Sequence, residues 1–202
     1  LVYANHLHNL YGLDTITGGN VLGLVYYLFN EGHITSQDID GLSPEWGDMS
    51  AAITLIEKIA RREGIGDILA EGVLEFAKRH NAEHLAAHVH GLEMPLHDPR
   101  AFSGMAVVYA TSPRGACHMT GDMYNIQMGQ SDPSLDIVSN DRFANEAEIA
   151  ARLQNIRCVT NSALTCHFYP LRGSDIARLL TLVLGTHFDV EDVALIGERI
   201  FT

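Results

Sequence analysis

The sequence predicts an all-α, mostly helical fold arranged as two helical lobes, residues 1–97 and 98–202. Three observations carry that expectation. Apolar residues recur at helical spacing in several windows, capping residues and glycines punctuate those windows, and the alternation of half-buried strands joined by hairpin turns is absent. Glycine and proline breaks running from Gly91 past Pro95 and Pro99 mark where the lobes divide.

Taken in order, Val2 to Leu10 and Asn20 to Phe29 are apolar stretches separated by breaks at Gly12 and Gly18-Gly19, the pattern of two buried helices joined by a tight connection. Asp48 stands as N-cap before Met49, Ile53, Ile56, Ile59 and Ala60, with Lys58, Arg61 and Arg62 near the far end and Gly64 as the stop. Asp67 opens another helix, turning Ile68, Val73 or Leu74, Phe76 and Ala77 inward before Lys78, Arg79 and the terminating Asn81. Periodicity fades from His88 to Arg114, where only Met105 to Ala110 is continuous and apolar, equally readable as a short helix or a buried strand. Helical patterns return over Glu146 to Thr165, Asp175 to Leu184 and Glu191 to Phe201.

With 47% hydrophobic residues in 202, the chain can bury a core. Its formal net charge of -12 argues against an extended grip on nucleic acid or anionic lipid. Three widely spaced cysteines make no disulfide framework and suit a reducing, cytoplasmic location. The longest apolar run, Val21 to Phe29, falls short of the roughly 18 residues of a membrane span, so a soluble protein without a membrane span is expected. The opening Leu1-Val2-Tyr3-Ala4 lacks an initiator methionine, and the last residues stop inside a helical pattern, so both ends read as cut or processed.

Three constellations can carry chemistry. Asn9-Leu10-Tyr11-Gly12-Leu13-Asp14 runs into Thr15, Thr17, Gly18 and Gly19, offering short polar groups and close backbone approach to a planar, hydrogen-bonding ligand. A helix stop followed by an N-cap gives the same pattern. Ala110 to His118 joins Arg114, a fixed cation, to His118, an imidazole that exchanges a proton near neutral pH; an ordinary loop with a surface arginine, a partly buried histidine and a packed Cys117 reads the same way. Asn161 to Phe168 places Cys166 after a polar helix end, as a metal-cluster ligand or simply as a small buried residue. The pairs His6-x-His8 and His88-x-His90 do not read as zinc sites: neither has an HExxH or CxxC partner, and His6 and His8 diverge on a helix. No GxSxG elbow supports a serine hydrolase, and no GxxxxGK[ST] loop supports phosphate binding.

Read together, NLYGLDTITGGN, GLSPEWGD, IARREGIGDILAEGV, GLEMPLHDPRA, YATSPRGACH and NSALTC resemble, in that order, the helical domains 2 and 3 of the tungsten-containing aldehyde ferredoxin oxidoreductases, along nearly the entire chain. The resemblance implies two lobes around a cofactor cleft. It implies that Asn9, Gly12, Leu13 and Asp14 line one pterin, that Asn161 and Thr165 line the other, and that the two pterins hold one tungsten or molybdenum. It further implies that Cys166 is the fourth ligand of a 4Fe-4S cluster, and that His118 lies close to the metal as a proton donor or substrate-orienting group. The implied reaction oxidises a small aldehyde to a carboxylic acid, with electrons leaving singly to ferredoxin or another carrier.

The chain departs from the family pattern at three places. Asn replaces the leading Asp at positions 9 and 161, exchanging two acceptor oxygens for one, and Leu164-Thr165 stands where the family has Gly-Leu. The other cluster cysteines, in a CxxCxxxC pattern, and the β-rich N-terminal portion of the enzyme are not in this sequence, so the chain is expected to be an incomplete part of the enzyme. These departures leave room for another substrate, such as an aromatic thioester undergoing reduction, or for a non-catalytic helical binding or scaffold module. A homo-oligomer is left open.

Overall fold

The structure is a computed structural model and describes residues 1–130 and 145–202. Ten α-helices, α1 to α10, three short 3-10 turns and one hairpin of two two-residue strands are present among the described residues, in keeping with the predicted mostly helical class. The described chain forms two units, Leu1–Pro95 with Arg114–Ala116, and Leu96–Pro113 with Cys117–Thr202.

In the first unit, α1 (Val2–Tyr11) and α2 (Thr15–Asn30) are joined by three residues. Gly18 and Gly19, read from the sequence as part of a break, lie inside α2. The Asp14 carboxylate explains the early start: it accepts the Thr17 N–H at 2.7 Å and nucleates the helix ahead of the glycines. Gly18 is required by packing, since a Cβ there would stand 2.0 Å from Nε2 of the buried His8. α3 (Met49–Arg61) begins as predicted, with Asp48 accepting from the Ser50 and Ala51 amides. It ends at Arg62 in the left-handed region, two residues before the glycine read as its stop.

The helix expected from Asp67 is instead two short ones, α4 (Gly66–Leu69) and α5 (Val73–Arg79). Gly72 at φ 92° breaks them, a backbone angle that a continuous helix cannot contain. Gly66 is also forced by contact, because a Cβ would meet the Lys58 carbonyl at 2.2 Å. Val25 and Leu28 of α2, Leu55 of α3, Leu69 of α4 and Phe76 of α5 close this core. The hairpin of β1 (His88–Val89) and β2 (Leu92–Glu93) pairs His88 with Glu93 and Val89 with Leu92. Gly115 tucks beneath it, where a Cβ would lie 2.4 Å from the Val89 carbonyl oxygen.

In the second unit the ambiguous Met105 to Ala110 run is helical, as α6 (Ser103–Thr111). α7 (Met123–Gln127) follows a single turn of 3-10 helix over His118–Thr120. Met105 and Val108 of α6 and Met123 of α7 are fully enclosed. α8 (Glu146–Ser162) ends three residues earlier than its sequence pattern allows. α9 (Gly173–Leu184) and α10 (Val190–Phe201) pack with it around Ile156, Val159, Ile176, Ala177 and Val193. Gly197 sets the close approach of α10 to α8, since a Cβ would lie 2.2 Å from the Asn155 carbonyl oxygen. No helix among the described residues is long and apolar enough to cross a membrane.

Candidate functional site

The residues singled out from the sequence fall on two helix ends and one loop. At the end of α1, Gly12 adopts φ 69° and ψ 30°, the left-handed conformation that reverses a helix. Its N–H faces the Asn9 carbonyl oxygen at 3.4 Å, and the Leu13 N–H donates to the His8 carbonyl oxygen at 2.8 Å. Asn9 is exposed, and its Nδ2 donates to the Asn5 carbonyl oxygen at 2.9 Å. That bond orients the side chain and commits one of its two N–H donors, leaving Oδ1 and the second N–H for other partners.

A cleft of about 430 Å³ adjoins this turn, lined by Gly12, Leu13, Asp14, Thr17, Arg61 and Arg62. His8 separates it from a larger, mainly apolar cavity of about 500 Å³ beside Leu22, Tyr26, Trp46, Met49 and Ala52. His8 Nδ1 lies 2.8 Å from the Ala4 carbonyl oxygen, which can only accept, so Nδ1 carries a proton. Glu93 braces the start of α2 from within: Thr17 Oγ1 donates to Oε2 at 3.0 Å, and the Val73 N–H donates to Oε1 at 2.8 Å.

The end of α8 repeats the first turn. Leu164 holds φ 56°, its N–H donates to the Asn161 carbonyl oxygen at 3.1 Å, and the Thr165 N–H donates to the Thr160 carbonyl oxygen at 3.0 Å. Asn161 therefore corresponds to Asn9, and Leu164 to Gly12, in backbone geometry as well as in sequence order. Thr165 Oγ1 also donates to the Thr160 carbonyl oxygen, at 3.0 Å, so this side chain is committed to closing the turn. Cys166, the next residue, is exposed, whereas Cys117 is buried, in line with the packing alternative for Cys117.

His118 is half-buried in the loop before α7. Its ring centroid lies 5.2 Å from that of His97, which stacks flat on Tyr124 at 3.9 Å. Burial holds the His118 pKa below the usual imidazole value, the neighbouring His97 and His167 push the same way, and Asp122 alone opposes them. At neutral pH His118 is therefore an uncharged imidazole, competent to accept a proton.

Asp122 is a feature that sequence reasoning missed. It is 2% exposed, and its Oδ2 accepts from Arg157 Nη2 of α8 at 2.6 Å and lies 2.9 Å from His167 Nε2. The available signal was thin: an acidic residue shortly after His118, and a histidine directly following Cys166. Glu93 was likewise visible within GLEMP but had no role that spacing could assign. The paired histidines separate as expected, with His6 exposed and His8 buried.

A family model described as aldehyde ferredoxin oxidoreductase, domains 2 and 3, matches residues 1–202. The chain is 35% identical over 206 residues to a protein of Pyrococcus furiosus named tungsten-containing aldehyde ferredoxin oxidoreductase, covering 100% of this chain and 33% of that protein. It is 32% identical to a protein of the same name from Thermococcus kodakarensis, again over 100% of this chain and 33% of the relative. A Pyrococcus furiosus protein named aliphatic sulfonate oxidoreductase, WOR-like subunit, is 35% identical over 58% of this chain and 20% of its own length. The chain thus spans about a third of the length of the curated relatives it matches from end to end.

Proposed function

The chain belongs to the aldehyde ferredoxin oxidoreductase family, and from that premise we propose that it is part of a tungstopterin enzyme oxidising aldehydes to carboxylic acids and delivering electrons through a 4Fe-4S cluster to ferredoxin. The observation that carries this reading is the pair of matching turns at Asn9–Asp14 and Asn161–Cys166. Each ends a helix by the same hydrogen-bond scheme and presents an exposed asparagine beside a left-handed residue.

The residues present fit the proposed groups. A Cβ built on Gly12 meets nothing within 4 Å, so a flat ligand can approach the backbone there. Asn9 supplies an exposed amide with an acceptor oxygen and a second N–H, Leu13 an apolar side chain, and Asp14 a carboxylate anchored at the α2 N-terminus through Oδ1. Asn161 and Thr165 frame the second turn, and the exposed Cys166 thiol is accessible as a cluster ligand. When bound, the metal and cluster supply two-electron oxidation and one-electron transfer. The remaining cluster ligands are assigned to residues outside this chain.

Converting an aldehyde and water to an acid releases two protons and two electrons. His118, kept neutral by burial and by its histidine neighbours, accepts one of those protons and orients the substrate oxygen. Metal analysis of the full native protein should find tungsten or molybdenum together with iron, and Cys166→Ser should alter the iron content and the cluster spectrum. Absence of both tungsten and molybdenum from that protein overturns the reading. The similarity to a protein named as a sulfonate oxidoreductase favours one alternative, the same cofactor serving another substrate. Anaerobic turnover of aldehydes against sulfonates separates the two.

A further inference from the structure

We propose that Asp122 is a positioning residue for Cys166, acting through His167 to fix the direction in which the thiol is presented; the inference rests on the cluster reading of Cys166 given above. Its basis is a juxtaposition of buried groups. Asp122 occupies the residue before α7, where a carboxylate ordinarily caps the helix, yet its side chain makes no capping bond there. It turns inward instead, to 2% exposure, and its Oδ2 joins Arg157 of α8 to His167. Oδ1 is buried with no hydrogen-bond partner among the described residues. A carboxylate enclosed in this way is costly unless paired, and the guanidinium supplies the compensating charge.

The consequence falls on the residue next door. The backbone of the turn is fixed up to Thr165, whose N–H and hydroxyl both donate to the Thr160 carbonyl oxygen. Beyond it, Cys166 is exposed and its side chain is not enclosed by packing. The first side chain after it that reaches a buried group is His167, whose Nε2 lies 2.9 Å from Asp122 Oδ2. The Cys166 carbonyl oxygen accepts from the Tyr169 N–H at 3.1 Å, so the main chain is held on both sides of the thiol, and the contact of His167 with Asp122 sets the orientation of the residue next to it. Asp122 also lies four residues after His118 and pulls against the two histidines that lower its pKa. One buried carboxylate therefore ties the proposed cluster turn to the proposed proton-handling loop within the second unit.

The test uses the full-length, cofactor-loaded protein. Asp122→Ala would remove a buried ion-pair partner of Arg157 and threatens folding, so the variants are placed on the His167 side of the link. His167→Leu removes the Nε2 contact and leaves the Asp122–Arg157 pair in place. His167→Gln keeps a nitrogen donor at similar reach, and His167→Asn carries a donor too short to reach it. Iron release to a chelator should be about 10- to 100-fold faster in the Leu and Asn variants. Their reduced-cluster EPR signal should shift and broaden, and the Gln variant should stay close to wild type in both. Wild-type release rates and spectra in the Leu variant, or in the Asn variant should Leu not fold, overturn the proposal. Cys166→Ser, measured alongside, separates the two levels. If it alters the cluster while the His167 variants do not, the positioning inference alone fails; if it too leaves the cluster unchanged, the ligand reading fails and takes the inference with it.

Discussion

Leu164 is a leucine in a conformation that glycine fills in the matching turn, and replacing it tests whether the two turns are equivalent. At φ 56° an L-residue bears a left-handed penalty of about 1–2 kcal/mol. Leu164 recovers almost nothing through packing, because it is 92% exposed. Against removal of the penalty stands the larger entropy of a glycine in the opened chain, about 0.4–1 kcal/mol. Leu164→Gly should therefore stabilise the turn by about 0.5–1 kcal/mol. The mirror experiment is Gly12→Ala: a Cβ at Gly12 meets nothing within 4 Å, so only the backbone term at φ 69° changes, and it should destabilise by a similar amount. Hydrogen exchange of the full protein reads both, since the Thr165 and Leu13 amides close the two turns. Exchange of the peptide ending α8 should slow about 2- to 5-fold in Leu164→Gly, and that of the α1–α2 peptide should quicken by a like factor in Gly12→Ala. A faster-exchanging Leu164→Gly would show that the leucine makes a contact in the full protein worth more than its strain, and the equivalence drawn from φ and hydrogen bonding would fall.

Glu93→Ala should loosen the α2–α5 brace, because it strips the acceptors from the Val73 N–H and the Thr17 hydroxyl; exchange over Val73–Ala77 should rise about fivefold or more, for a cost of about 1–3 kcal/mol. Glu93→Gln keeps one acceptor and should lose less, and protection unchanged in the Ala variant would show that the carboxylate is not what holds α5. Asp40 accepts from Lys58 Nζ and from the Ile65 N–H, both at 2.8 Å, and these bonds, the Lys58 one foremost, hold its pKa below the usual carboxylate value. A lowered folded pKa means that the stabilisation is present above the unfolded value of about 3.9 and is lost as pH falls through the folded one. The stability gap between wild type and Asp40→Asn, followed by denaturant midpoints, should be flat near neutral pH and close in acid. A gap that widens in acid has the wrong sign for this account.

What was legible in the sequence follows from the range of the forces that set each feature. The helix after Asp48 could be read with its cap because the carboxylate and the amides it satisfies lie within three residues. The start of α2 was misread because Gly18 looks like a helix breaker locally, whereas it is fixed by a steric demand from His8 on another helix. The break at Gly72 was hidden for a similar reason: Glu93, twenty residues on, supplies the acceptor that lets α5 begin anew at Val73. The proposed site divides along the same line. Both turns were readable as ordered motifs, since each is a local helix ending, and the substitution of Leu164 for glycine was visible as a departure. That Leu164 nonetheless takes glycine's conformation was not readable, because six consecutive letters do not state which backbone strain the rest of the unit can impose. Asp122 shows the limit most sharply. Its partners are 35 and 45 residues away in sequence, on α8 and beyond it, so no spacing rule links them. Only the folded second unit brings a carboxylate, a guanidinium and the histidine beside Cys166 to one point, and the chemistry proposed for Cys166 depends on that convergence as much as on the cysteine itself.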